Sequence, residues 1–357
     1  MTYFPWQLPV WQKLYSNHFS TAKADHFPHA LLLAGIAGIG KKQLAFYLAK
    51  GLLCQSPKNN HQSGQMEPCH LCRSCQLYDL ANHPDFYHIT TPDDKKVIPV
   101  DAIRELIQWS VLTSQMGGKK IIIIEPAEAM NANASNSLLK TLEEPVSNTI
   151  IILLTNKKQV LLPTIISRCQ TIDLALPEKQ IAIQWLQHSL QHEQGTAESA
   201  QLLLSLASGA PLLALDLSRG EQLEVRNIII NHLLAIINES VDPVSVAELL
   251  FKQTRTKKTN AKSRSKTKQL NFSTYDVIYW IDSVLSDLAR LSQNCQQNTL
   301  TNIDFHESLQ LLSDRLDLKS ILQLSDLINK AYYEIQGSVN INLLFERLLI
   351  DWKNCIK

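Results

Sequence analysis

Four cysteines carry the most specific chemistry in this sequence. Cys54 is followed, after fourteen intervening residues, by the run Cys69-x-x-Cys72-x-x-Cys75. Four thiolates suit tetrahedral Zn²⁺ with metal–sulfur bonds of about 2.3 Å. With every coordination position supplied by protein, such a centre is closed and structural, not catalytic. A site of this kind contributes about 10–16 kcal/mol toward folding the segment that holds it. His61 and His70 lie close enough in sequence to substitute as ligands, and reduced free thiols are the plain alternative. Cys169, Cys295 and Cys355 are isolated and read as structural thiols. Seven cysteines in all is an odd number for a disulfide framework, so metal ligation comes first.

A second constellation is GIAGIGKK, residues 35–42. Gly35, Gly38, Gly40 and Lys41 follow the phosphate-loop pattern G-x-x-x-x-G-K-[ST], in which backbone N–H groups cradle phosphate and a final hydroxyl ligates Mg²⁺. Position 42 is lysine, whose ammonium has no lone pair for a metal. The apolar run 121–124 ends in Glu125-Pro126, where an intact ATPase has a metal-holding aspartate and a water-activating glutamate. Glu128 lies beyond that strand end. ATP is therefore expected to be neither held tightly nor hydrolysed, although the paired lysines are compatible with weak, metal-independent phosphate binding. A third candidate is Arg168 in TIISRCQ, residues 164–170. From the residues alone, a surface arginine is as readily a solvated charge as a group that meets a neighbour's phosphate.

The elements that must position these groups follow from periodicity. HALLLA (29–34), DFYHI (85–89), KKIIIIE (119–125), TIIILLT (149–155) and TIDLA (171–175) read as strands, the most apolar of them buried on both faces. Between them, KKQLAFYLAKGLL (41–53), a helix starting with Asp101 as N-cap, and ASNSLLKTLEE (134–144) have helical spacing. Strands separated by helices predict a parallel sheet covered on both faces. After Leu176-Pro177 the strands stop and helical patterns run to the C-terminus. The expected fold class is an α/β phosphate-loop domain, a small helical lid and an all-α domain. The expected boundaries are 1–175, with the cysteine module at 54–75, then 176–217, then 218–357.

At 357 residues, the chain is long for one core. No apolar run is long enough to span a bilayer and the first residues lack a signal-peptide pattern, so a cytoplasmic protein is expected. The net charge of +1 conceals an asymmetry: eight lysines and arginines lie between Lys252 and Lys268 without an acid, leaving 26 basic against 33 acidic residues elsewhere, a balance of −7. Segment 252–270 reads as a disordered basic loop, with a DNA-contacting arm as the alternative. The acidic remainder does not bind nucleic acid by overall charge.

Together, HALLLAGIAGIGKK, LLCQ followed by PCHLCRSCQ, NHPDFYHI, SLLKTLEEP and LLPTIISRCQ resemble the delta-prime branch of the bacterial DNA polymerase III clamp-loader family, relatives of the AAA+ ATPases. The resemblance covers roughly residues 20–178, and beyond that rests on helical character and VNINLLFERLLI near the C-terminus. It implies a non-hydrolysing stator in a hetero-pentameric ring with gamma or tau and delta subunits, which loads the β clamp onto primed DNA. By the same resemblance, Arg168 is a finger completing the neighbouring subunit's ATP site, and Cys54, Cys69, Cys72 and Cys75 hold Zn²⁺. Thr155 and Asn156 stand where the ATPases keep a sensor residue, and SGAPLLALD (208–216) contains no second sensor arginine. Two rival readings are an active clamp-loader-type ATPase using Glu125, and a zinc-dependent DNA-binding module using the basic loop.

Overall fold

The structure is a computed structural model that describes residues 3–18, 27–60, 65–92, 97–190, 197–255, 272–296, 299–335, 337 and 339–355. By internal contacts the chain divides into two compact units, Met1–Ala182 and Ile183–Lys357.

In the first unit, α1 (Leu8–His18) precedes β1 (Ala30–Ala34) and α2 (Lys41–Leu53). A small antiparallel hairpin, β2 (Lys58–Asn60) and β3 (Gln65–Glu67), leads into α3 (Arg73–Asp79). Then follow β4 (Phe86–Thr90), α4 (Val100–Val111), β5 (Lys120–Glu125), α5 (Ala132–Glu143), β6 (Thr149–Thr155), α6 (Pro163–Ile166) and β7 (Gln170–Asp173). Five of the strands form one parallel sheet in the order β4-β5-β6-β1-β7. Strands β1 and β6 are buried along their whole length, and β5 is buried up to its last residue, Glu125. Such strands need apolar side chains on both faces, which is why they read as unbroken Ile and Leu runs.

On one face, Leu32, Ile122, Ile124, Ile151 and Leu153 form a core with Ile103 and Leu106 of α4 and Leu138 and Leu142 of α5. Helix α4 starts one residue before the expected N-cap: Pro99 occupies that position, and Asp101 lies in the first turn, where it pairs with Arg104. A carboxylate there still favours the helix through its dipole. The other end of α4 is closed by the buried Lys120, whose Nζ donates to the carbonyls of Trp109 and, at 2.7 Å, Leu112. Helix α5 stops two residues before Pro145, as proline's effect on its predecessor requires.

The division between the units falls within α7 (Lys179–Leu190). Among its described residues the second unit has helices and no strand: α8 (Ala197–Leu206), α9 (Pro211–Arg219), α10 (Gln222–Ile237), α11 (Pro243–Arg255), α12 (Thr274–Ser292), α13 (His306–Ser313), α14 (Leu318–Glu334) and α15 (Ile341–Asn354). Its interior contains Arg226, which is only 1% exposed and is matched by Asn302 at 2.8 Å and by both carboxylate oxygens of Asp304. The expected loop at 252–270 needs correction at its start. Residues 252–255 continue α11, where Lys252 pairs with Glu248 one turn back at 3.5 Å. The remainder of that segment, from 256, lies outside the described residues.

Candidate functional site

The glycine loop lies between β1 and α2, as a phosphate cradle requires. Gly38 and Gly40 have φ of +78° and +91°, which side-chain-bearing residues rarely adopt. A Cβ on Gly40 would also come within 2.6 Å of Phe4 and 2.7 Å of Gln7. The N-terminal segment is pressed onto the loop: fully buried Gln7 donates to the carbonyls of Ile39 at 3.2 Å and Gly40 at 2.8 Å, and Trp6 donates to Ile39 at 2.9 Å.

Both lysines of the loop are engaged by the chain itself. Lys41 donates to the carbonyls of Gly35 at 2.9 Å and Ile36 at 2.7 Å. Burial pulls its ammonium down to about 8, although the carboxylates of Glu128 and Glu125 act the other way. Lys42 forms an ion pair with Glu125 at 3.0 Å, and His88 Nε2 lies 3.4 Å from the same carboxylate oxygen. Burial pushes the Glu125 carboxyl up, but His88 and Lys42 outweigh it and hold the group below its ordinary value. Glu128 is engaged too, accepting the Asn156 N–H at 2.9 Å. The adjoining Thr155 carbonyl accepts the Gly35 N–H at 3.2 Å, so Thr155 and Asn156 lie at the loop's end of the sheet.

At the other end of α2, Cys54 is the C-cap, and Cys72 caps α3 by accepting the Cys75 N–H at 3.4 Å. The four Sγ atoms of Cys54, Cys69, Cys72 and Cys75 lie within 4.8 Å of one another, with Cys54–Cys72 at 3.9 Å and Cys69–Cys75 at 4.0 Å. A regular tetrahedron with bonds of about 2.3 Å has edges of about 3.8 Å, so the donor set fits a zinc-sized ion. Backbone N–H groups point at the sulfurs, Cys69 to Cys54 at 3.3 Å and Cys72 to Cys69 at 3.2 Å. Burial disfavours the Cys69 thiolate, yet the N–H groups of Leu71 and Cys72 and the thiols of Cys72 and Cys54 bring it down to about 6. His70 turns from the cluster toward Lys50, its Nδ1 lying 2.7 Å from that ammonium, and His61 lies outside the described residues.

Arg168 lies in the short connection between α6 and the edge strand β7. The register pairs Leu31 with Gln170 and Ala34 with Asp173, so β7 begins beside the start of β1. Arg168 is therefore at the amino end of the strands, and the glycine loop at the carboxyl end. At about 3.3 Å per residue the paired stretch alone separates them by roughly 10 Å. The guanidinium contacts Glu143 at 2.5 Å and the Thr164 carbonyl at 3.0 Å, and the side chain is 33% exposed.

Two family models match the chain, one described as DNA polymerase III, delta subunit, over residues 11–178, and one as DNA polymerase III, delta subunit, C terminal, over 248–354. A Pseudomonas aeruginosa protein named DNA polymerase III subunit delta' is 32% identical over 352 residues, covering 98% of this chain and 97% of its own. The chain belongs to this delta-prime family. A Yersinia pestis protein of the same name is 30% identical, covering 100% of this chain and 97% of its own. Among solved structures, a gamma subunit-related protein from Thermotoga maritima is similar over 98% of this chain and 99% of its own, at a TM-score of 0.43 and 15% identity.

Several residues of these family segments escaped the sequence reading. Ser74 donates to the Leu53 carbonyl at 2.6 Å and is paired with His83 at 2.8 Å, while the His83 Nδ1 accepts the Asp85 N–H at 3.1 Å. The serine proton is thus spent on a carbonyl, and this buried Ser–His pair ties α3 to the end of α2 without activating a nucleophile. Lys50 does similar work by pairing with Asp79 at 2.7 Å. The partners of Lys42 and Arg168, Glu125 and Glu143, are distant in sequence, so spacing alone held no signal for either pair.

Proposed function

We propose that the chain is a non-hydrolysing stator of a DNA polymerase III clamp loader. In this reading it lends Arg168 to the ATP site of a neighbouring gamma or tau subunit while the β clamp is loaded onto primed DNA. It does so within a cytoplasmic hetero-pentameric ring that also contains delta, and has three domains, 1–175, 176–217 and 218–357. Zn²⁺ at Cys54, Cys69, Cys72 and Cys75 is a structural staple. Gly35, Gly38, Gly40 and Lys41 form a phosphate loop retained for its shape.

The observation that carries the reading is the Lys42–Glu125 ion pair. A working site needs a hydroxyl from position 42 and a carboxylate at the strand end to gather Mg²⁺. Here the first is replaced by a cation, the second is neutralised by that cation, and Pro126 supplies no base to water. Arg168 complements this loss. Placed at the opposite end of the strands from its own loop, it is suited to another molecule's phosphate.

The test is Arg168→Ala in a reconstituted loader. Arginine fingers are worth about 10³–10⁵ in rate. Clamp-stimulated hydrolysis at the neighbouring site is expected to fall by roughly 10³-fold while the assembly still elutes intact. Unchanged hydrolysis rejects the finger, and steady ATP turnover by the isolated chain rejects the stator.

A further inference from the structure

Arg168 is already bound by its own chain. Its Nη2 lies 2.5 Å from Glu143 Oε1, and its Nη1 donates to the Thr164 carbonyl at 3.0 Å and lies 3.5 Å from the Ser167 hydroxyl. Both terminal nitrogens are thus turned onto the chain's own surface. Glu143 is the last residue of α5, Glu144 follows it, and the helix's C-terminal carbonyls add partial negative charge at the same corner. A carboxylate at a helix C-terminus is disfavoured unless a cation meets it, so the corner draws the guanidinium in.

We propose that Glu143 is a positioning residue that holds Arg168 withdrawn until the γ-phosphate of a neighbouring subunit's nucleotide displaces it. The proposal rests on the reading of Arg168 as a finger. A γ-phosphate offers more charge and more acceptor oxygens than one carboxylate, and arginine–phosphate contacts are bidentate and charge-assisted. Glu143 therefore loses the competition to a nucleoside triphosphate, but holds its own against a weaker anion or an empty site. The pair is also half-exposed, at 33% for Arg168 and 48% for Glu143, which keeps it exchangeable. Pairs of this kind shift equilibrium constants by no more than about fivefold. Glu143 thus sets how much nucleotide is needed to engage the finger, and leaves the engaged state unaltered.

The test uses a reconstituted loader in which only the neighbouring ATP site is intact. It compares Glu143→Gln, Glu143→Asp, Arg168→Ala and the Glu143→Gln/Arg168→Ala double variant, each with assembly checked by gel filtration. With Glu143→Gln, the ATP concentration for half-maximal hydrolysis is expected to fall by about two- to fivefold, with kcat unchanged at saturating ATP, clamp and primed DNA. Glu143→Asp should return toward wild type, and the double variant should match Arg168→Ala. An unchanged or higher half-saturation in Glu143→Gln, or the same shift without Arg168, overturns the role of Glu143 and leaves the finger standing. Full activity of Arg168→Ala overturns the finger itself, and the role of Glu143 with it.

Discussion

Helix α2 has the glycine loop at its amino end and the four cysteines at its carboxyl end, and the two ends satisfy their polar groups by opposite means. At the amino end the chain supplies the counterparts: Lys41 to its own loop carbonyls, Lys42 to Glu125, and Gln7 to Ile39 and Gly40. At the carboxyl end four sulfurs converge within 4.8 Å, an arrangement whose charge balance a cation from outside would complete. The first end is closed by the chain's own residues, whereas the second presents convergent donors that would suit a cation.

Removing the metal attacks the carboxyl end and has the largest expected effect. The wild-type chain is expected to carry one zinc, measured by elemental mass spectrometry, and Cys72→Ser or chelation to abolish it. Structural zinc sites are worth about 10–16 kcal/mol. Metal-free protein should therefore lose amide protection across β2, β3 and α3 while the parallel sheet keeps its own. Retained protection in that module would mean that the Lys50–Asp79 and Ser74–His83 contacts hold it without metal.

The next effect belongs to Lys41. Its folded pKa of about 8 is below the ordinary 10.5, so between those values the unfolded chain binds more protons than the folded one. Stability therefore rises with pH across that window, by at most about 1.4 kcal/mol per pH unit for one proton. Below pH 8 the full cost of the buried ammonium is present. In urea titrations from pH 7.5 to 10, Lys41→Met should lack that rise relative to wild type. Equal slopes would mean that the loop carbonyls of Gly35 and Ile36 hold the ammonium without penalty.

The contrast between the ends also explains what the sequence made legible. Strands β1, β5 and β6 were plain because burial on both faces leaves only apolar letters, and the cysteine spacing was plain because metal geometry limits the gaps. The missing hydroxyl at position 42 was visible as a single letter. The ion pair that Lys42 forms was not, because Glu125 reaches it from a strand more than eighty residues on. Glu143 and Arg168 likewise meet through the packing of α5 on α6. Asp101 lies inside the first turn and is not the N-cap, because Pro99 and Val100 extend α4 backwards.

The finest probe of the amino end is Lys42→Thr, which restores the missing hydroxyl and removes the ammonium in one step. Exposed and half-exposed ion pairs are worth about 0–1 kcal/mol, and the Lys42 side chain is 51% exposed, so the expected loss of stability is below about 1 kcal/mol. Glu125 then keeps His88 at 3.4 Å and becomes available to a metal beside the restored hydroxyl. Titration with labelled ATP should reveal Mg²⁺-dependent binding in the variant and none in the wild-type chain. Hydrolysis should still be absent, since Pro126 provides no base and Glu128 remains on the Asn156 N–H. Turnover in Lys42→Thr would overturn the requirement for a base beside the restored metal ligand.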